Sequence, residues 1–397
     1  LASAIVVTRK TTRWSAARAA VVAIKSAAVR SSSSSSGSFP ERTLVHCLFA
    51  GGAHLTLIRR TGDASMAQFR FIPHKADAIR TNQVMHEGLF ESLEHIADVL
   101  KSEDPELSRH LKNWTQSARS GMRVPAAVFG AYYDAVEALQ ATDIATASEL
   151  VKRIASSECI PEKTRITVLG RDHSETDTRR IERFMGAPET GAAGVTQPDR
   201  VLATQFETKL SAAIDWIQIH VPELHDEMNA LLGELILVGP AEGALEFEGG
   251  TCFRLWGAVA LNAERKASVA DLIVTLAHEE GHAALFGACT REMLVENPDS
   301  ELYWSPIRKT ERPLEGIFHA SFVSARMVWV IGKMLETGDF GWLERRRLKK
   351  ILKEAHAIQQ DSAEIVQREG RLTETGRAVL EAMTGFMDGL GRALKPV

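Results

Sequence analysis

The stretch "TLAHEEGHAALF", residues 275–286, holds two histidines four apart, with a glutamate directly after the first. On a helix, residues four apart lie one turn above each other on one face. His278 and His282 can therefore offer two neutral imidazole nitrogens to a single metal ion. In a hydrolytic site of this kind, the carboxylate beside the first histidine, here Glu279, takes a proton from metal-bound water. Gly281, Ala283 and Ala284 are small and leave room around such an ion. At this level three readings stand: a peptide-cleaving zinc site, another metal chemistry on the same scaffold, or a polar stripe on a packed helix.

The flanks support a helix reached from a sheet. Ser268 suits an N-cap, and Asp271 falls in the first turn, where an acid complements the helix dipole. Val269, Leu272, Ile273 and Leu276 form one apolar stripe; Asp271, Thr275, His278 and His282 share another face. Upstream, "GELILVGP" (233–240), "ALEFEGG" (244–250) and "FRLWGAVALNA" (253–263) are short β-prone runs separated by Gly, Pro and charged residues. Strands leading into an HExxH helix are the element order of a zincin-like core. The run "WGAVALNA" (256–263) is expected to act as an edge strand able to pair with an extended peptide.

Further out, residues 66–186 read as a helical N-terminal region. "QVMHEGLFESLEHIADVLKS" and "AAVFGAYYDAVEALQA" place apolar residues at three- and four-residue steps. "TRITVLG" (164–170) is strand-like, and "SETDTRRIERFMG" after it is helical. Residues 187–199, rich in Gly, Pro and Thr, read as a linker or long loop. Residues 200–397 then form the HExxH metal-binding catalytic domain. Pro313 opens a further helix, and two more follow, from about Gly341 to Glu369 and from Thr373 to Leu394. The fold class is mainly α (α+β), with a helical N-terminal half, a small sheet beside the HExxH helix and C-terminal helices.

Residues 1–65 differ from the rest. Up to Ser38 they carry Arg9, Lys10, Arg13, Arg18, Lys25 and Arg30, no acid, and six serines from Ser31 to Ser36. That composition is transit-like. The first methionine is Met66, so an upstream extension of the reading frame with its start at Met66 is the favoured reading.

Of the 397 residues, 45% are hydrophobic and 25% charged, and the net charge is −4. This balance gives no pull toward nucleic acid or an anionic membrane. No run of about 18 uninterrupted apolar residues is present, so no segment reads as membrane-spanning. Cys47, Cys159, Cys252 and Cys289 are far apart and form no CxxC pair, which fits a reducing, cytoplasmic setting.

An ion held by His278 and His282 needs a third protein ligand. Glu301 lies eighteen residues beyond His282, the spacing of zinc aminopeptidase-like sites, but in a turn-rich stretch, "ENPDSELYWSP". Glu315 and His319, four apart in "ERPLEGIFHASF", face one way on the next helix, which can carry either to the ion if it crosses the first.

From His278 to about Val330 the chain resembles the HExxH-motif peptide-modification family of ribosomal-peptide pathways. That family pairs an HExxH helix with a later block, matched here by Tyr303, Pro306, Arg308, Arg312, Pro313, Gly316 and His319. The chain departs from the block at Ile307, where the family usually shows tryptophan; Trp304 comes earlier. The resemblance implies an iron- and 2-oxoglutarate-dependent peptide β-hydroxylase acting on a ribosomal precursor peptide. It makes His319 the third metal ligand and completes a three-histidine facial set. Arg312 would then bind the distal carboxylate of 2-oxoglutarate, with Arg326 in reserve. Glu279 would orient a ligand or water instead of acting as a base. Residue chemistry alone points to a Zn2+ metallopeptidase, and a non-catalytic peptide-binding module is the third class.

Overall fold

The protein is described by a computed structural model covering Ala4–Ile5 and residues 69–120, 123–186, 194–242, 247–290 and 292–393. The extension at 1–65 lies outside the described residues apart from Ala4–Ile5, as do residues 187–193 of the expected linker and 243–246 of "ALEFEGG".

Helices dominate, with a small mixed sheet. The order is β1 (Ala4–Ile5), α1 (Lys75–Leu100), α2 (Pro105–Ala118), α3 (Ala126–Gln140), α4 (Ile144–Ala155), β2 (Arg165–Val168) and α5 (Glu175–Met185). There follow β3 (Val195–Thr196), α6 (Arg200–His220), α7 (Pro222–Leu231), β4 (Glu234–Pro240), β5 (Gly249–Thr251), β6 (Ala258–Asn262) and α8 (Val269–Ala288). The chain continues with β7 (Leu302–Trp304), β8 (Glu311–Pro313), α9 (Leu314–Thr337), α10 (Trp342–Glu369) and α11 (Glu374–Ala393).

The main sheet has the order β1-β5-β6-β4-β2, with β3 also pairing β4. β2, β4 and β6 run parallel, and β5 turns back antiparallel to β6. β4 and β6 are buried almost throughout. Unbroken apolar runs such as "LILV" and "AVAL" suit central strands covered on both faces. This overturns the edge-strand expectation for "WGAVALNA". Residues 253–255 turn as a short 3-10 helix, and β6 is hydrogen-bonded on both sides, by β4 and β5. A strand with both edges paired has no donors or acceptors left for a peptide.

β2, before residues 187–199, pairs with β4 after them, Arg165 opposite Glu234, and β3, within that stretch, also pairs with β4, Val195 opposite Pro240. The larger hydrophobic cluster runs from Phe71 to Met387, and a second gathers Leu169, Ile181 and Phe184 against Ile236, Val238 and Ala260 of the sheet.

α8 is the central helix. Ser268 caps it, its hydroxyl accepting from the Asp271 backbone N–H while the Asp271 side chain accepts from the Ser268 N–H. From Ala270 to Gly287 its side chains are buried on all sides, with Asp271 and Ala284 the exceptions. A helix apolar all round belongs inside a fold. α9 crosses α8 and is covered in turn by α10. α9 is long and apolar enough to cross a membrane, yet 94% of its apolar window is buried inside the protein. It ends at Gly338, whose φ of 78° is the left-handed cap conformation that glycine adopts without strain. Pro313 is the residue before the helix, not its first turn.

Candidate metal and peptide site

α8 sets His278 and His282 one turn apart, their ring centroids 5.0 Å from each other. α9 delivers His319, whose ring stacks on His282 at 5.5 Å and 21°. Phe286, one turn beyond His282, lies 5.2 Å from the His319 ring and closes that side. All three histidines are buried. Burial holds their imidazoles in the neutral form: it pushes His278 and His319 down to about 3, and His282 well below its usual range. Neutral imidazole is the form that ligates metals.

The hydrogen-bond partners assign the protons. His278 Nδ1 faces Met327 Sδ at 3.2 Å. A thioether can only accept, so Nδ1 carries the proton and Nε2 keeps the lone pair. His278 Nε2 is buried with no hydrogen-bond partner, and so is His282 Nε2. His282 Nδ1 and His319 Nδ1 are 3.2 Å apart, one donating to the other. His319 Nε2 lies 3.9 Å from Glu315 Oε1.

Among the described residues no group of three or more His, Cys, Asp or Glu side chains gathers its donors as a ready metal-ligand set. The chemistry of the residues fits a metal all the same. Two unpartnered lone-pair nitrogens on one helix face would otherwise be a cost of burial.

Glu279 is fully buried against β5. Its Oε2 accepts from Thr251 Oγ1 at 2.8 Å, while Oε1 has no partner. Burial raises its carboxyl to about 8, against the opposing pull of the Thr251 hydrogen bond. A Cβ on Gly249 would come 3.0 Å from Glu279 Cγ and Oε1, so glycine there lets β5 lie close to the carboxylate.

The other sequence candidates divide. Glu301 stays at the periphery, accepting from Tyr303 and Asn297 and pairing with Arg371 at 3.0 Å. Glu315 is buried beside His319. Arg312 sits in β8, opposite Tyr303 of β7, not on the following helix. Arg326 is buried with its Nη2 2.8 Å from Glu227 and its Nη1 3.8 Å from Glu280. Its charge is thus taken up by two carboxylates, and its guanidinium also lies over Phe71 and Phe322.

Three contributors were not legible as site residues. Thr251 and Gly249 come from a strand of three residues, too short for a periodic signal. Met327 lies two turns after His319, in a run that reads only as core. Arg308 falls in the block that carries the family resemblance, and its position relative to the histidines is not encoded locally. It sits in the β7–β8 turn, its backbone N–H donating to Ser305 Oγ at 3.2 Å. Its charge acts on His278, His282 and Glu279. Burial lowers the Arg308 guanidinium, and Arg312 beside it adds repulsion. Arg308, with Arg312 beside it, gives this side of the histidines a cationic margin suited to an anion.

Comparison with models of known protein families gives no match to this chain. Comparison with curated proteins gives none either.

Proposed function

We propose that the chain is a metal-dependent peptide-modifying enzyme that hydroxylates the β-carbon of a side chain in a ribosomally made precursor peptide, using iron and 2-oxoglutarate. The observation that carries this reading is the meeting of three buried neutral imidazoles, His278, His282 and His319, beside a cationic margin. His278 and His282 would hold the ion through Nε2, with His319 as third ligand. Iron with 2-oxoglutarate and oxygen supplies the oxidant for a carbon–hydrogen bond. Met327 keeps the His278 ring oriented by accepting its Nδ1 proton. Arg308 and Arg312 offer the bidentate cation that the distal carboxylate of 2-oxoglutarate needs. Thr251 fixes Glu279 through its Oε2.

A zinc peptidase is the second reading, favoured by the unpartnered buried Oε1 of Glu279 next to His278. That oxygen is free to accept a proton from an attacking water.

One experiment separates the readings. Anaerobically purified chain is analysed for metal, then assayed for 2-oxoglutarate consumption with a candidate precursor peptide. The oxygenase reading expects iron, oxygen-dependent succinate, and a modest loss in Glu279→Gln. Arg308→Ala and Arg312→Ala should raise the 2-oxoglutarate requirement. Zinc, cleavage products and a fall of about two to four decades in Glu279→Gln would establish the peptidase. Neither metal nor turnover would leave a binding module.

A further inference from the structure

We propose that the outer edge of β5 is the docking edge for an extended peptide, and that the chain's own segment Ala4–Ile5 occupies it as a stand-in. β5 pairs with β6 along its inner edge, Gly250 opposite Ala260. Along its outer edge it takes, among the described residues, β1 in parallel, with Ala4 opposite Gly250 and Ile5 opposite Thr251. A seated strand shows that this edge accepts backbone pairing and sets the direction of the guest.

The edge has two further properties. Gly249 and Gly250 present bare backbone, so recognition runs through N–H and C=O groups and tolerates varied guest sequences. Two of the strand's three residues touch the metal helix. Thr251 Oγ1 donates to Glu279 Oε2, and Gly249 lies against the Glu279 side chain. A strand on β5 is therefore one strand-width, about 4.8 Å, from the strand that contacts HExxH. At the sheet's opposite edge β2 pairs with the β4 backbone, and its Arg165 with Glu234. The identity of the guest as a substrate peptide rests on the peptide-modifying reading; the pairing edge does not.

The test uses the full chain and the octapeptide LASAIVVT, residues 1–8, as probe. Binding is followed by fluorescence polarisation without iron, oxo acid or oxygen, so failure of the oxygenase reading leaves the result intact. The variant Ala4→Pro/Ile5→Pro removes the amide donors of the resident strand. It should bind the probe roughly ten-fold or more tighter than the unaltered chain, because an attached segment competes at high effective concentration. N-methylation of the probe at its Ala4 and Ile5 amides should abolish binding. Hydrogen exchange on the Ala4→Pro/Ile5→Pro variant with excess probe gives a second readout and should slow at Gly249–Thr251. No binding to the variant, equal binding of the methylated probe, or slowing at Arg165–Val168 instead of β5 would overturn the proposal.

Discussion

His282 Nδ1 lies 3.2 Å from His319 Nδ1, joining the HExxH helix to a residue 37 positions later. That contact brings His319 to the motif, while Glu301 is engaged by Arg371 at the surface. Alanine at His278, His282 or His319 is expected to strip most of the bound metal while far-UV circular dichroism stays unchanged. Metal content per chain is the measurement. If His319→Ala keeps its metal and Glu315→Ala loses it, the third ligand is the carboxylate.

Thr251→Val keeps shape and removes the hydroxyl that donates to Glu279 Oε2. A fully buried carboxyl then loses its donor, at a cost of about 1–3 kcal/mol. Urea unfolding of the metal-free chain measures this. Unaltered stability would show that the hydrogen bond contributes nothing there.

Arg326→Met should destabilise by about 3–5 kcal/mol, because buried Glu227 and Glu280 lose the charge between them. Burial already raises Glu280, with Glu227 adding to the rise and Arg326 opposing it. The expected variant unfolds at lower urea without any specific change in 2-oxoglutarate requirement. A raised requirement at full stability would return Arg326 to the cofactor.

His86 supplies a pH test away from the site. Its ring lies in the core, Nδ1 bonded to the Asn82 carbonyl at 2.8 Å, and burial lowers it from 6.5 to about 4. Above the unfolded value both states are neutral and stability is unaffected. As pH falls from 6.5 toward 4, the unfolded chain takes a proton that the folded chain refuses, and stability drops by ~1.4 kcal/mol per pH unit. His86→Gln lacks this proton. The stability gap between the unaltered chain and the variant should therefore close by about 2 kcal/mol from pH 7 to pH 5. A gap constant with pH would show that His86 is not held neutral.

Local pattern made much of this protein legible. Ser268 and Asp271 announced the start of α8, and they form the capping box there. The spacing of His278 and His282 put both rings on one face because the helical period does so by itself. Unbroken apolar runs marked β4, and the Glu315–His319 pair falls on one helix as its spacing required. These are properties of a few consecutive residues. Tertiary structure alone decided the rest. β6 became an inner strand because β5 folded back against it, a pairing between residues that no local period encodes. Arg326 went to Glu227 and Glu280, because a charge without water around it must sit where the packed fold supplies opposite charge. Thr251 and Gly249 reached Glu279, and Met327 reached His278, only because strand and helices from distant stretches close on one core, where contact depends on packing and not on sequence separation.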